Sequence, residues 1–388
     1  MRLNLRHLLP LLPLCLLAAC KPPAPAPQPE RNFYTPAQFV MGADLSYVNQ
    51  LEDYGAVYRD SGKAGDPFVI FRNRGANLVR VRLWHTPQWV ADLNGGTFYN
   101  GLADVTETIR RAKAAGMAVN LDLHYSDEWA DPGRQTTPAA WAGLPYPVLQ
   151  DSVYQYTLKV LQGLAAQNLT PEYIQVGNET NPGMLHPAGQ IENNNWQPFA
   201  GLLSSGIRAV RDFSAASPVK PRIILHVAQL QNAGWWTDGV IRKGGVTDFD
   251  IIGISHYFKW STVNSMRAIT DTLKRLKSAW NKDLMIVETA FPWTEGNADS
   301  YNNILSGGYN PVYGYSATPI GQLRYLTDLT QAIIAGGGSG LMYWEPAWIT
   351  SGMRDPWGTG SSWDNNTLFD ADGDALEGMD FMTRPYTF

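Results

Sequence analysis

The segment IQVGNETNPG, residues 174–183, begins like a buried strand and ends in polar residues. Residues 174–176 are apolar in pattern, whereas Asn178 and Glu179 follow at once, and Pro182 and Gly183 then break the run. Burying a carboxylate without a partner costs free energy. An apolar strand that ends in a carboxylate therefore predicts a polar cleft at that end of the strand. We therefore expect Glu179 to lie at the rim of a sheet, where the chain turns away.

Seven further segments have the same character: short apolar runs rich in β-branched residues, separated by longer stretches of helical period. The eight strand candidates are residues 39–47, 78–84, 117–125, 173–179, 222–227, 250–257, 284–290 and 340–348. Between them, Leu102, Val105, Ile109 and Ala112 recur at helical spacing, and Gly116 follows where a helix C-terminal cap belongs. The alternation predicts an α/β fold.

Two α/β architectures fit an alternating pattern, namely a closed barrel and a doubly wound open sheet. The open sheet usually shows a Gly-rich phosphate turn after its first strand. Here the first candidate strand runs into GADLSYV, residues 42–48, instead. Eight units in roughly 350 residues fit a single (β/α)8 TIM barrel with long βα loops.

The composition narrows the class of function. The chain has 388 residues, 44% hydrophobic and 17% charged, with a formal net charge of -5, which argues against a disordered chain. The 30 Lys and Arg residues form no long run, so we expect no nucleic-acid partner. The 14 Trp and 18 Tyr residues either fill the core or provide flat faces for sugar rings.

The N-terminus predicts export. Arg2 and Arg6 precede an apolar run, residues 8–19, that is too short to span a membrane comfortably. The run ends in LAAC, residues 17–20, which resembles a bacterial lipoprotein lipobox. The resemblance implies a signal peptide over residues 1–19, cleavage before Cys20 and lipidation of its thiol; ordinary secretion is the alternative. Cys15 would be removed, which leaves no pair of cysteines for a disulfide.

Residues 20–32 contain KPPAPAPQPE and predict a semi-rigid Pro-rich tether that holds a soluble domain, residues 33–388, away from a membrane. Lys21 after Cys20 favours outer-membrane sorting in a Gram-negative cell. We thus expect a membrane-anchored lipoprotein at the outer membrane or cell surface. We expect a monomer that contacts membrane only through its lipid.

Polar residues gather where the candidate strands end. In a TIM barrel the active site is built at these C-terminal strand ends. The residues concerned are Asp44, Arg80, Arg82, Trp84, Asp122, His124, Asn178, Glu179, His256, Tyr257, Glu288, Trp344 and Glu345. The sequence lacks HExxH and any close His pair, which disfavours catalytic zinc, and it lacks the GxSxG of a serine nucleophile. Acid–base chemistry by carboxylates remains, and two glutamates at strand ends fit glycoside hydrolysis.

Seven ordered blocks make the pattern more specific. They read GADLS, RVRLW, LDLHYSDEWADPGRQTTPAAW, IQVGNETNPGMLHP, ISHY, IVETAFPWT and YWEPAW. Together, from about Gly42 to Phe369, they closely resemble glycoside hydrolase family 53, the endo-β-1,4-galactanases. The resemblance implies a retaining endo-hydrolase of galactan or type I arabinogalactan. It also implies that Glu179 is the general acid/base and Glu288 the nucleophile.

If Glu179 and Glu288 are the catalytic residues, neighbouring polar and aromatic residues are candidates for supporting roles. We expect Asn178 to bind the sugar 2-hydroxyl, and Tyr257 with one of Arg80 or Arg82 to orient Glu288. Both arginines lie on one face of their strand, so the sequence leaves the choice between them open. The other candidates for the site are His124 for hydrogen bonding or as a satisfied core histidine, Trp344 for the floor under the sugar, Asp44, Asp127 and Glu345 for hydroxyl groups, and Trp84, Trp293 and Trp348 as platforms or packing.

Two questions stay open at the level of sequence. Bacterial family members often have an Asp/His/Asn calcium loop after strand seven, whereas residues 294–303, TEGNADSYNN, contain no His. Asn297 and Asp299 still offer oxygen ligands, so the metal is unknown, and no cofactor is expected for catalysis. The alternatives for function are a related enzyme acting on mannan or glucan, and a catalytically silent glycan-binding lipoprotein, which could dispense with either glutamate.

Overall fold

The computed structural model describes residues 39–263, 265–305 and 314–388. Eight parallel strands form a closed barrel in which each strand pairs with the next along the chain and the last pairs with the first. The strands are β1 Val40–Asp44, β2 Leu78–Leu83, β3 Ala118–Leu123, β4 Tyr173–Val176, β5 Arg222–Ala228, β6 Ile251–Ser255, β7 Asp283–Glu288 and β8 Gly340–Tyr343. The predicted TIM barrel is confirmed.

Helices cover the outside of the barrel between successive strands. They are α1 Val48–Asp53, α2 Pro67–Asn73, α3 Gln88–Leu93, α4 Leu102–Ala114, α5 Tyr146–Ala165, α6 Gln197–Ala216, α7 Leu230–Asp238, α8 Met266–Trp280 and α9 Pro319–Ala335. The helical period predicted for α4 is confirmed at Val105, Ile109 and Ala112, which are buried. Leu102, the first residue of α4, is exposed.

The loops contain short helices and two-stranded ribbons. Short 3₁₀ helices cover Ala139–Trp141, Asp364–Asn366 and Glu377–Thr383, and a π-helical turn covers Gly239–Lys243. Three two-stranded antiparallel ribbons pair Arg59–Asp60 with Lys63–Ala64, Gly183–Met184 with Gly189–Gln190, and Arg354–Asp355 with Gly358–Thr359. No helix in the described ranges combines the length and apolar character needed to cross a membrane. The predicted signal peptide, Cys20 and the tether lie outside these ranges.

Several strands end before the polar residues that were predicted to end them. β4 stops at Val176, and the next residues include Gly177 at φ 82° and Glu179 at φ 44°. β8 stops at Tyr343, and Glu345 has φ 45°. These left-handed conformations take the backbone out of the strand direction. The expected strand ends at 179 and 348 were therefore too late, and the polar residues lie on tight turns directly above the barrel.

The lower part of the barrel interior is filled by apolar side chains. One buried cluster takes residues from every strand: Val40, Leu78, Ala118, Tyr173, Ile224, Ile251, Met285, Val287 and Met342. Gly253 lies in this layer, where a Cβ atom would come 2.6 Å from Ile224 Cγ2, so only glycine fits. The barrel is consequently a packed core and not a pore, and the open end above the strands is where a ligand can bind.

Candidate active site

A cavity of about 710 Å³ opens at the C-terminal end of the barrel. Nine residues predicted from the sequence line it: Arg80, Arg82, His124, Asn178, Glu179, Tyr257, Glu288, Trp344 and Trp348. They lie at or after six different strand ends, as expected of an active site in this fold. The structure thus brings both predicted catalytic glutamates together with more than half of the candidates for supporting roles.

Glu288, the last residue of β7, is held on both carboxylate oxygens. Arg80 Nη2 lies 2.8 Å from Glu288 Oε1, and the Tyr257 hydroxyl donates to Oε2 over 2.9 Å. Burial raises the pKa of the Glu288 carboxyl, and the charge of Arg80 and the bond from Tyr257 oppose that rise. The choice left open by the sequence is decided: Arg80, and not Arg82, contacts Glu288.

Arg80 is almost completely buried and also pairs with two aspartates. Its Nη1 lies 2.8 Å from Asp44 Oδ2, and its Nη2 lies 2.8 Å from Asp122 Oδ2. Burial alone lowers the pKa of a guanidinium, but Asp122, Glu288 and Asp44 hold that of Arg80 above its usual value. The cation is permanently charged and stabilises the ionised form of each carboxylate around it.

Asp44 does not line the cavity, contrary to its predicted role in binding sugar hydroxyls. Its side chain is fully buried, and its second oxygen accepts hydrogen bonds from the backbone and hydroxyl of Ser46. With both oxygens occupied below the cavity surface, Asp44 supports Arg80 instead of contacting a ligand. Asp127 likewise faces the backbone amides of Thr86 and Ala139.

Glu179 lies on the tight turn after β4 and faces Glu288 across the cavity. One carboxylate oxygen of each residue lies within 4.8 Å of the other. Burial raises the pKa of Glu179 well above its ordinary value, and the charge of Glu288 adds to the rise, while a hydrogen bond from Ser255 opposes it. Glu179 therefore keeps a proton at a pH at which an exposed glutamate would have lost it.

Asn178 is fixed beside the two carboxylates. Its Oδ1 accepts from Arg80 Nη2 over 2.8 Å, and its Nδ2 donates to the carbonyl of Ala130 over 2.8 Å. An amide nitrogen has two hydrogens, so one remains to donate into the cavity. This geometry fits the predicted contact with a sugar hydroxyl.

Arg82 has a separate set of partners, although it lies only two residues from Arg80. It pairs with Glu345, and its guanidinium lies 4.0 Å from the ring centre of Tyr47 and 4.4 Å from that of Trp129. Burial raises the pKa of Glu345 to about 8, against the charge of Arg82. Glu345 is absent from the cavity lining, so its predicted contact with hydroxyl groups does not fit this placement. The pair instead fixes the aromatic wall next to Trp344.

His124 forms hydrogen bonds with neighbouring residues of the site, which is one of the two roles predicted for it. Its Nε2 lies 3.0 Å from Asp122 Oδ2, while its Nδ1 accepts from the indole N–H of Trp84 over 3.2 Å. This pattern assigns the proton to Nε2 in the neutral ring. Because Asp122 is also bound to Arg80, His124 joins the same network.

The aromatic residues divide into platforms and packing. Trp344 and Trp348 line the cavity, and Trp344 packs edge-on against Trp363 at 4.6 Å between ring centres. Trp84 is fully buried, and the Trp293 N–H donates to the carbonyl of Asp364, so neither residue lines the cavity. Four lining tryptophans were not singled out from the sequence: Trp129, Trp260, Trp357 and Trp363. They lie in loops, where no periodic signal marks them.

The residues considered for calcium are bonded to protein groups. Asp299 accepts hydrogen bonds from Thr350, Tyr301 and Ser361, and Asn297 Oδ1 accepts from Asn303 over 2.7 Å. Calcium needs several oxygen ligands at once, and these oxygens already face donors. In the described part of the loop after β7, Asn297 and Asp299 therefore do not present the ligand set of a calcium site.

A second group, Glu179, His226 and Glu288, has one possible ligand atom each within 4.8 Å. His226 Nε2, however, lies 2.9 Å from Ser255 Oγ, and Nδ1 lies 2.9 Å from Gln175 Nε2. Both ring nitrogens are engaged, which leaves no lone pair directed at an ion. His226 and Ser255 were missed as site residues because they lie inside apolar strand segments.

Comparison with known proteins places the chain in a family. The family model for glycosyl hydrolase family 53 matches residues 40–382. The arabinogalactan endo-β-1,4-galactanase of Cellvibrio japonicus is 46% identical over 337 residues, which cover 86% of this chain and 87% of that one. The endo-β-1,4-galactanase of Bacillus subtilis is 32% identical and covers 88% and 84%. The GH53 catalytic domain of Ignisphaera aggregans superposes with a TM-score of 0.81 at 33% identity, covering 91% and 98%.

The electrostatic coupling of the two glutamates gives a direct prediction. Replacing Glu288→Gln removes the negative charge that faces Glu179, so the pKa of Glu179 should fall, on the order of one unit or more. It should stay above the ordinary glutamate value, because burial is the larger cause of the rise. Carbon-13 NMR titration of labelled glutamate carboxyls, assigned with Glu179→Gln, measures the shift.

The control for this titration is Glu107→Gln, which removes a half-exposed carboxyl from α4. That variant should leave the pKa of Glu179 unchanged, since solvent screens a distant exposed charge. An unchanged Glu179 titration in Glu288→Gln would show that the two carboxyls do not interact.

Proposed function

Because this chain belongs to glycosyl hydrolase family 53, we propose that it cleaves β-1,4-linked galactan within the chain, including the galactan of type I arabinogalactan. The observation that carries the proposal is the facing pair of Glu179 and Glu288, with carboxylate oxygens within 4.8 Å. Retaining glycosidases separate the two carboxyl groups by about 5–5.5 Å, whereas inverting ones leave room for a water at about 6.5–9.5 Å. The close approach favours retention.

In the first step Glu288 attacks the anomeric carbon while Glu179 gives its proton to the departing glycosidic oxygen. The bond from carbon to that oxygen breaks, and a galactosyl ester of Glu288 forms. Arg80 and Tyr257 suit Glu288 to this role because they favour its ionised form. The raised pKa of Glu179 suits that residue to the role of acid.

In the second step Glu179, now ionised, removes a proton from water. The water oxygen attacks the anomeric carbon, the ester bond to Glu288 breaks, and the β configuration is restored. Asn178 supports both steps if its free amide hydrogen donates to the sugar 2-hydroxyl, a bond that strengthens in the transition state. Trp344 provides the apolar face on which the reacting ring lies.

Internal cleavage is supported by the breadth of the cavity. Trp260 follows β6, and Trp348 and Trp357 lie in the long loop after β8, so lining aromatic residues come from both sides of the reaction centre. Sugar rings stack on such faces on either side of the bond that breaks. A polysaccharide can therefore be held without a chain end in the site.

Incubation of the domain from residue 30 with linear β-1,4-galactan, mannan and cellulose tests this proposal. We expect the viscosity of galactan to fall faster than reducing ends appear, because internal cuts shorten long chains at once. Release of monosaccharide alone from the outset would contradict internal cleavage. Preferred cleavage of mannan or cellulose would favour a related β-glycanase, and binding without cleavage would favour a silent glycan-binding protein.

The two glutamates should respond differently to replacement. Glu288→Ala should abolish turnover of every substrate, because no covalent intermediate can form. Glu179→Ala should lose galactan cleavage, on the order of 10²–10⁴-fold, yet keep fast glycosylation by an aryl galactoside whose leaving group needs no proton. Added azide should then give a β-galactosyl azide, identified by NMR.

The opposite pattern of activity in the two variants would exchange the roles of acid/base and nucleophile. An α-azide from Glu288→Ala, together with an inactive Glu179→Ala on the activated substrate, would make Glu179 the nucleophile. Melting temperatures of both variants separate loss of chemistry from loss of fold.

We further propose that the protein is exported and anchored through a lipid on Cys20. The motif LAAC at residues 17–20 and the basic, apolar segment before it support this proposal, as does the Pro-rich stretch that follows. An anchor at one residue on a semi-rigid Pro-rich stem would leave the cavity free to meet an extracellular polysaccharide.

Cys20→Ala should release the protein to the soluble fraction or leave the signal peptide uncleaved, because the thiol that receives the lipid is gone. Membrane fractionation and intact mass of the full-length protein measure both outcomes. Cys15→Ala is the matched control, since that cysteine lies in the removed segment and should change neither result. If Cys20→Ala leaves both the mass and the membrane distribution of the protein unchanged, the proposed lipid anchor is contradicted.

A further inference from the structure

We propose that Ser255 and His226 are positioning residues for Glu179, which fix the catalytic proton on one carboxyl oxygen. This inference rests on the proposed function, in which Glu179 is the general acid/base. Ser255 is the last residue of β6, and His226 lies within β5. Both side chains are fully buried and neither lines the cavity, so they act through Glu179 and not on the sugar.

The Ser255 hydroxyl donates a hydrogen bond to Glu179 Oε1. On its other side, Ser255 Oγ lies 2.9 Å from His226 Nε2. A serine hydroxyl has one hydrogen, and that hydrogen is used on Glu179, so the hydrogen shared with His226 must come from Nε2. A directed chain results, from the imidazole to the hydroxyl to the carboxyl of Glu179.

The other nitrogen of His226 agrees with this assignment. Nδ1 lies 2.9 Å from Gln175 Nε2 and 3.2 Å from the backbone nitrogen of Glu179, which are donors, and 2.9 Å from Asn178 Oδ1, which is an acceptor. Because Asn178 Oδ1 already accepts from Arg80 and Gln175, we assign Nδ1 as the unprotonated acceptor of a neutral ring. Burial, with the nearby cation of Arg80, holds the pKa of His226 well below its usual value, which favours the same form.

His226 also holds the backbone on which Glu179 lies. Its carbonyl accepts from both the backbone nitrogen and the hydroxyl of Thr180, each over 3.0 Å. Glu179 between these contacts has φ 44°, a left-handed conformation that costs energy for any residue except glycine. The bonds from residues 179 and 180 to His226 keep this turn in place.

The consequence concerns the two oxygens of Glu179. Oε1 accepts from Ser255, which disfavours a proton on that oxygen. Oε2 has no hydrogen-bond partner among the residues that the structure describes, and Glu179 lines the cavity. The acid proton is thereby placed on Oε2, toward the glycosidic oxygen. After proton transfer, the same serine bond stabilises the carboxylate that must activate water.

Other charges around Glu179 come from several elements. Glu288 at the end of β7 and Asp131 after β3 oppose its ionisation, while Arg80 on β2 favours it. Substitution of Ser255 leaves each of these groups in place. A change in the titration of Glu179 can therefore be assigned to the lost hydroxyl.

The test is Ser255→Ala, with kcat/KM for galactan measured across pH. The alkaline limb of this profile reports the loss of the acid proton. Because the serine bond favours the carboxylate, its removal raises the pKa of Glu179, and the limb should move up by roughly one unit. At the optimum we expect kcat/KM to fall about 10-fold, since the proton is no longer confined to Oε2.

The same variants are assayed with an activated aryl galactoside, whose departure needs no proton. There Ser255→Ala should retain kcat/KM close to that of the unmodified enzyme. Ser205→Ala on α6, a buried serine bonded to a helix carbonyl, is the matched control and should match the unmodified enzyme in both assays. Ser255→Cys keeps a weak donor of similar size and should show a smaller shift.

An unchanged alkaline limb in Ser255→Ala, or an equal loss on both substrates, would overturn the proposal and leave Ser255 with a purely structural role. If Ser255→Ala does not fold, as judged by its melting temperature, Ser255→Cys decides by the same criteria. Failure of the unmodified enzyme to cut galactan would instead contradict the proposed function, so the two outcomes are distinguishable.

Discussion

The buried guanidinium of Arg80 is the interaction on which the site depends. It binds Asp44, Asp122 and Glu288, and so joins β1, β2, β3 and β7 at one point. A buried charge is costly without partners, and removing one member of such a group leaves an uncompensated charge. The same group has more negative than positive charge when all three carboxylates are ionised. Of this group, the charge of Glu288 favours the protonated form of Glu179, and the charge of Arg80 opposes it.

The two glutamates show how surroundings give one residue type two tasks. Glu288 has a cation and a phenol on its two oxygens, which suit an anionic nucleophile. Glu179 has a hydroxyl on one oxygen and faces the charge of Glu288. Burial raises the pKa of both carboxyls, but Arg80 and Tyr257 oppose the rise in Glu288, whereas the charge of Glu288 adds to the rise in Glu179. Two carboxyls in different surroundings are the usual arrangement for acid–base catalysis near neutral pH.

The second guanidinium, that of Arg82, holds the aromatic wall of the site in place. Arg82 lies against Tyr47 and Trp129 and pairs with Glu345, the residue after Trp344. A cation over aromatic faces is stabilised by their negative quadrupole, and it fixes the rings in return. The platform for the sugar is therefore part of a rigid wall.

The sequence by itself determined the eight strands, their order and the placement of Glu179 and Glu288 at one end, because apolar runs and their polar ends are local patterns. It did not separate Arg80 from Arg82, since both face the same side of β2 and differ only in depth. It placed Asp44 in contact with substrate, whereas depth in the barrel puts that residue below the cavity. His226 and Ser255 gave no local signal; only closure of the barrel brings their strands beside β4, and hydrogen bonding across strands then decides which oxygen of Glu179 holds the proton.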